Sequence, residues 1–388
     1  MKSLSRSGFG LVLLLGLAAG VCAQQTAAPQ AAAGVTQQPD NPRLQHRPPP
    51  GAPSAPVAPS AVTPAGRIWL DVVVTDAAGK AVTGLQPWNF KLLDDGQPRK
   101  ILSFRAYDGA TVKPEPPVEV ILVMDAANLP FQQVAVVRQQ ITQFLRENGG
   151  HLKQPVSLIL LSDAGIRIQP RPSLDGNAVA AVVKQIKGSI STINAAMGGE
   201  GLLERFQLSV REVSAIAENE ALKPGRKLLI WVGPGWPMLT RPELGSYSEK
   251  YQRRYFDGIV ELSTKLREAR MVVYSVAPMN AGGGSDSNYA LRYQDYLKGV
   301  TSPKNADTGD LALKVLAIQS GGAILGPDND LAEQIDRCAA DANVFYTISF
   351  NPPRAEHADE YHELRVTIDQ AGMKVRTNTG YYDEPEGK

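Results

Sequence analysis

The chain of 388 residues carries 40 basic and 39 acidic side chains, for a net charge of +1. With neither sign in excess, the composition gives no electrostatic footprint for nucleic acid or for an anionic membrane surface. Two cysteines, Cys22 and Cys338, are too few for a disulfide scaffold, so packed cores must hold the fold.

Lys2 and Arg6 precede the apolar run Leu11 to Leu17, and the chain then reaches Val21, Cys22 and Ala23. This is the three-part layout of a secretory signal peptide over residues 1–23, with an apolar core too short to span a membrane. The mature protein is therefore expected to begin at Gln24, to be periplasmic or extracellular, and to keep no stable membrane span. A lipoprotein with Cys22 acylated is the alternative, and the bulky Val21 before it speaks against that. Residues 24–66 are rich in Ala, Pro and Gln, with Pro48, Pro49 and Pro50 in a row. Such a segment buries too little apolar surface to offset its ordering entropy, and reads as a disordered linker.

Ile68, Leu70, Val72 and Val74 alternate with Trp69, Asp71, Val73 and Thr75, predicting a strand with one apolar face. Trp88 to Leu93 predicts a second strand, Asp95-Gly96 a hairpin turn, and Lys100 to Tyr107 the returning strand. Beyond Pro114, Pro116 and Pro117, strands begin to alternate with helices. Val118 to Met124 is an aliphatic run broken only by Glu119, as in a central parallel strand covered on both faces, and it ends at Asp125. Asn128 and Pro130 predict a helix cap and first-turn proline, with Phe131, Val134, Ile141 and Leu145 on the buried face. Further strands are expected at Val156 to Leu161, Lys227 to Val232, Met271 to Val276 and from Ala323. Helices are expected through Leu202 to Ala217, Tyr251 to Leu266, Leu311 to Ile318 and Leu331 to Ala342. Cys338 lies on the apolar face of the last helix, as a buried small hydrophobe. Gly282, Gly283 and Gly284 predict a mobile loop at 281–288.

From Val344 the pattern returns to strands, with Tyr346, Ile348 and Phe350, then Leu364, Val366 and Ile368, then Met373 and Val375. Neither the early nor the late strands suffice for a core alone. The fold expected is α/β, a doubly wound and mainly parallel sheet over 117–342, inserted between the halves of one small β-sandwich at 67–113 and 343–384. Two separate β units are the alternative.

The stretch VVVTDAAGKAVTGLQPWNFKLLDDGQPRKI, with NVFYTISFNPP, HELRVTI and GYYDEP, resembles the bacterial von Willebrand factor A-related proteins known from acidobacteria. The α/β region resembles a von Willebrand factor A (VWA) domain, and the likeness covers Arg67 to Pro385. It implies a binding site at the C-terminal end of the first parallel strand, where the family pattern Asp-x-Ser-x-Ser, a threonine and a second aspartate hold a divalent metal. Asp125 matches the first position. Ala127 and Leu129 stand where the serines would be, Pro234 where the second acid would be, and Thr192 is the candidate threonine. One carboxylate does not make a magnesium site, and Asn128, Asp163 and Glu200 lack the spacing to complete it. No cofactor or divalent cation is therefore expected, with Asp125 only a weak metal candidate and otherwise an acceptor of backbone N–H groups at the following helix.

The candidate ligand-binding residues are Asp125, Asn128, Leu129, Asp163, Thr192 and Trp236, the tryptophan as an aromatic anchor at the open sheet end while Trp231 belongs to the core. No catalytic residue is assigned. Glycine-flanked serine elbows, His-Glu-x-x-His and phosphate loops are absent from the sequence. HADEYHEL gathers His357 and His362 with acids, but its spacing fits no familiar zinc pattern and reads as a solvated turn before a strand. Gly198 to Gly201 before a helix reads as a turn in preference to an anion cradle. The function expected is an exported module that binds a protein or cell-surface ligand without a metal-dependent adhesion site. The alternatives are an envelope hydrolase using Asp125, Asp163 and Glu200, supported only if paired carboxylates share a cleft, and a structural envelope component.

Overall fold

The computed structural model describes residues 66–169, 171–185, 198–237, 248–279 and 292–385. The expected signal peptide, nearly all of the linker, Thr192 and the 281–288 loop lie outside the described residues.

The first apolar alternation builds β1 (Ile68–Thr75), whose Ile68, Leu70, Val72 and Val74 are buried together. The hairpin follows as β2 (Phe90–Asp94) and β3 (Gln97–Arg99). Asp95 and Gly96 between them have φ of 50° and 75°, the left-handed pair that a two-residue turn needs to match strand twist. Two expectations fail here. Trp88 belongs to a 3-10 turn and is 78% exposed. Lys100 to Tyr107 does not return along β2, because the chain crosses to another sheet as β4 (Ser103–Asp108) and pairs with β12 (Val344–Phe350).

With β13 (Glu360–Ile368), β14 (Lys374–Arg376) and β15 (Gly380–Asp383), these strands make two four-stranded antiparallel sheets, ordered β14-β1-β12-β4 and β15-β13-β2-β3. Each joins the two ends of the sequence, since β1 pairs with β12 and β2 with β13. Side chains from both sheets, among them Leu70, Leu92, Ile348, Phe350 and Val366, share one apolar cluster.

The middle of the chain forms a seven-stranded sheet ordered β11-β10-β9-β5-β6-β7, with β8 also paired to β6. Its parallel strands are β5 (Glu119–Asp125), β6 (His151–Ser162), β9 (Lys227–Val232), β10 (Met271–Pro278) and β11 (Ile324–Asp328). β7 (Gly165–Ile168) and β8 (Ser173–Asp175) run antiparallel to β6. Helices α1 (Phe131–Arg146), α2 (Gly176–Gln185) and α6 (Leu331–Ala340) cover one face, where Val120, Leu122 and Met124 point. Helices α3 (Gly198–Ala221), α4 (Glu249–Glu268) and α5 (Leu313–Gln319) cover the other, where Ile121 and Val123 point. Burial on both faces is why Val120 to Met124 of β5 and Leu228 to Val232 of β9 read as continuous apolar runs. α1 departs from expectation. Pro130 takes the cap position without a side-chain hydrogen bond, and Phe131 is 64% exposed.

The sheet containing β1 also packs its second face on the α/β layers, through Val73, Tyr107 and Phe345. Asp71 reaches into this junction and accepts hydrogen bonds from Arg270 Nη2 at 2.5 Å and Thr347 Oγ1 at 2.8 Å, with Arg226 Nε at 3.9 Å. Burial pushes the Asp71 carboxyl up, but the two guanidiniums outweigh it and hold the group below its ordinary range.

Candidate functional site

Counted in chain order along its main path, the large sheet runs 3-2-1-4-5-6 and its order reverses between β5 and β9. Open α/β sheets hold ligands in the crevice beyond the strand ends at such a reversal. Asp125 ends β5 there, and Gly233 follows β9 beside it. A Cβ on Gly233 would come within 2.7 Å of the Asp125 Cβ, so the glycine lets the two loops close on each other.

Closure leaves Asp125 with no exposure. Its Oδ2 accepts from the Trp231 indole N–H at 2.8 Å and from Asn128 Nδ2 at 3.0 Å. Its Oδ1 accepts from Asn128 backbone N–H at 3.0 Å and Asn128 Nδ2 at 3.1 Å. The same Nδ2 reaches Ser209 Oγ on α3 at 3.0 Å, fastening the β5 loop to the opposite helical layer. Burial raises the Asp125 carboxyl above its ordinary range, and the bonds from Trp231 and Asn128 offset part of that rise. The expectation of acceptor bonds at the helix start is corrected in detail. The backbone N–H of Asn128 comes from the loop before α1, and the indole, which the sequence reading assigned to the core alone, supplies the shortest bond.

Trp236 is not an anchor at the open end. It is 5% exposed, donates its indole N–H to the Leu311 carbonyl at 2.9 Å, and stands edge-on to Trp231 with ring centroids 5.2 Å apart. Gly235, at φ 77° and against Leu313, turns the chain inward and carries the tryptophan with it. Leu129 is buried as well, in the α1 face of the core. Among the described residues, large apolar side chains exposed at this end include Phe131 at the start of α1, Tyr251 in the first turn of α4 and, after β10, Met279, which is 37% exposed.

Asp163 sits half-buried in the turn between β6 and β7. Glu200 is exposed in the first turn of α3. Gly198 to Gly201 are themselves helical and open α3, so they form no loop before it. A raised carboxyl at Asp125 is one mark of a catalytic acid, yet its oxygens are already engaged and no solvent reaches it. Two grooves of the molecule lie elsewhere, one against Phe144, His151 and Asp336 near the N-terminal ends of β5 and β6, the other against Asp310 and Tyr382.

The HADEYHEL segment is also corrected. His357 is exposed as a turn residue would be, but His362 is 4% exposed and faces Asp94 and Asp95 from the early half of the chain. Among the described residues, no helix is long and apolar enough to cross a membrane.

No protein-family model matches the sequence, and no curated protein matches it. Among solved structures there is a partial likeness to the pilus adhesin SpaC from Lactobacillus rhamnosus GG, at 11% identity and a TM-score of 0.35, covering 78% of this chain and 49% of that one. The human COPII-coat protein Sec24c gives 10% identity and a TM-score of 0.34, over 69% of this chain and 44% of that one. The VWA domain of SpRpn10 gives 10% identity and a TM-score of 0.25, over 57% of this chain and 94% of that one. This chain spans about half the length of the first two, and likenesses this slight carry no functional argument. What stands on the chain's own geometry is a mixed α/β fold with a mainly parallel seven-stranded sheet.

Proposed function

We propose that this is an exported, VWA-like interaction module that binds a protein or cell-surface ligand without a metal at Asp125, its α/β domain carried on a β-sandwich formed by residues 67–113 and 343–384. The observation that carries this reading is the engagement of both Asp125 oxygens by Trp231 and Asn128 inside a closed switch point. A carboxylate held that way has no coordination position to offer a cation. It offers none to a substrate either, which favours the binding reading over a hydrolase that would use Asp125 with Asp163 and Glu200. Asn128, Leu129 and Trp236 then act by shaping the sheet end from beneath, and Phe131 is the side chain placed to anchor a partner.

The test is capture from envelope extract, followed by affinity measurement on the partner recovered. Binding is expected to survive EDTA, and Phe131→Ala is expected to weaken it by about 2 kcal/mol or more as a buried aromatic anchor does. Because Phe131 is 64% exposed, the same change should alter folding stability by only about 0.5 kcal/mol. Capture that EDTA abolishes, together with micromolar magnesium binding lost in Asp125→Ala, would restore a metal-dependent adhesion site.

A further inference from the structure

A second group of buried polar side chains lies at one end of the cluster shared by the two four-stranded sheets. Asp94 ends β2, Asp95 opens the turn into β3, and His362 lies on β13 two residues before Leu364, the register partner of Asp94. Strand alternation turns both Asp94 and His362 inward, at positions where neighbours such as Leu92 and Leu364 are apolar. They are 0% and 4% exposed. Asp95 is half-exposed and opens the group to solvent.

Each carboxylate has one oxygen committed elsewhere. Asp94 Oδ2 accepts from the Tyr381 hydroxyl at 3.1 Å and faces Arg99 Nε at 3.3 Å. Asp95 Oδ1 accepts the Glu363 backbone N–H at 2.8 Å. The other oxygens approach His362 Nδ1, which is 3.4 Å from Asp94 Oδ1 and 2.8 Å from Asp95 Oδ2. Close as these atoms are, they do not satisfy one another. Asp94 Oδ1 and both ring nitrogens of His362 are buried without a hydrogen-bond partner, the approach at 2.8 Å being misdirected for one. Buried polar atoms are rarely left so, and Asp94 Oδ1 and His362 Nδ1 lie where one bound ion could take both.

We infer that Asp94, Asp95 and His362 form a binding site for a divalent cation of the zinc class. The donor atoms all lie within 4.8 Å of one another. Zinc bonds of about 2.0–2.2 Å in a tetrahedron set donors about 3.3–3.6 Å apart, which Asp94 Oδ1 meets at 3.4 Å from Nδ1, while Asp95 Oδ2 at 2.8 Å has to move outward by about half an ångström, as its half-exposed side chain is free to do. An imidazole among the donors favours zinc over magnesium or calcium, which take oxygen. The surrounding contacts are those that orient metal ligands. Tyr381 stacks on the His362 ring at 4.9 Å and 10°, Tyr381 and Arg99 fix Asp94, and Glu360 Oε1 stands 4.0 Å from His362 Nε2. The exposed side of Asp95 leaves room for water as the fourth ligand. The site is remote in sequence from Asp125 and does not depend on the binding role proposed for the sheet end.

The rival occupant is a proton, making His362 an imidazolium between two carboxylates. Calorimetric titration of the untagged full chain with zinc chloride separates them. One equivalent is expected to bind with micromolar or tighter affinity. Asp95→Asn keeps a residue suited to the left-handed turn and an acceptor for Glu363, and should bind at least about tenfold more weakly while its circular dichroism matches wild type. A flat titration at millimolar zinc, or equal affinity in the two proteins, overturns the site. A readout that needs no variant is the His362 ring signal in the NMR spectrum of the wild-type chain. One equivalent of zinc is expected to shift it, and EDTA to restore it. A ring signal that is the same with and without zinc assigns the position to the proton and overturns the inference.

Discussion

Asp125 and Asp94 are both carboxylates without solvent exposure, each closing a strand, and burial raises both above their ordinary range. They differ in what their oxygens do. At the switch point both Asp125 oxygens are taken by Trp231 and Asn128. In the β13-β2 sheet one Asp94 oxygen is held by Tyr381 and the other has no partner. A buried, shifted acid at the expected place in a fold is thus a structural clasp when its acceptors are full, and a ligand candidate when one is left over.

Asp71 sets the upper end of this scale, because its partners are themselves charged. Asp71→Ala would strip Arg270 of its carboxylate partner at 2.5 Å and leave the Arg226 charge, 1% exposed, with only the Asp341 carbonyl and the Phe345 ring at the junction between the β1 sheet and the α/β layers. The expected loss is about 3–5 kcal/mol in urea unfolding at neutral pH, the cost of breaking one partner out of a buried ion pair. A loss no larger than that of Asp125→Ala would mean that partner charge matters less than partner number, and the comparison would need recasting.

Much of the scaffold was legible in the sequence because burial on two faces and burial on one leave different periodicities. β9 occupies Lys227–Val232 as expected, and Leu331, Ile335 and Cys338 face the core from α6. β7, β8 and α2 were not anticipated, since Gly165–Ile168 and Ser173–Asp175 are too short and too exposed to show a pattern. Trp236 was misplaced because a glycine turn, not the strand, sets its direction. Engagement of Asp125 by Trp231 depends on strand register, and Ser209 on the packing of α3. The Asp94 group was hidden for a different reason. Its members come from opposite ends of the chain and meet only through the β2–β13 pairing. A trace did exist, for Asp94 and His362 are polar residues at inward steps of otherwise apolar alternations.

The next effect in size belongs to the switch point. Asp125→Ala would orphan the Trp231 indole N–H and the Asn128 donors, at a cost of about 2 kcal/mol. The distinguishing control is magnesium, which should leave the melting temperatures of wild type and variant unchanged. A rise in wild type that Asp125→Ala removes would show that the clasp opens to take a metal, and the contrast with Asp94 would collapse.

The smallest effect on stability, and the finest test, comes from Asp94→Asn. Burial raises the Asp94 carboxyl from its ordinary value of 3.8, while the Tyr381 hydroxyl, His362 and Arg99 pull it partly back. A folded-state value above the unfolded one means that the native chain binds more protons between the two. Its contribution is therefore complete below the ordinary value and is lost as pH rises through the raised one. Asp125 has the same sign, so the wild-type profile cannot separate them, but the amides can. Asp94→Asn removes the ionisation, should change stability near neutral pH by about 1 kcal/mol or less, and should flatten the decline above about pH 4. Zinc needs the carboxylate deprotonated, so its stabilisation of wild type should grow over that range and be absent in Asp94→Asn at every pH. Asp125→Asn should flatten the decline as well, yet keep the full response to zinc. Melting temperatures recorded across the range with and without zinc decide the matter, and a zinc response that survives Asp94→Asn or vanishes in Asp125→Asn would reverse the roles given to the two carboxylates.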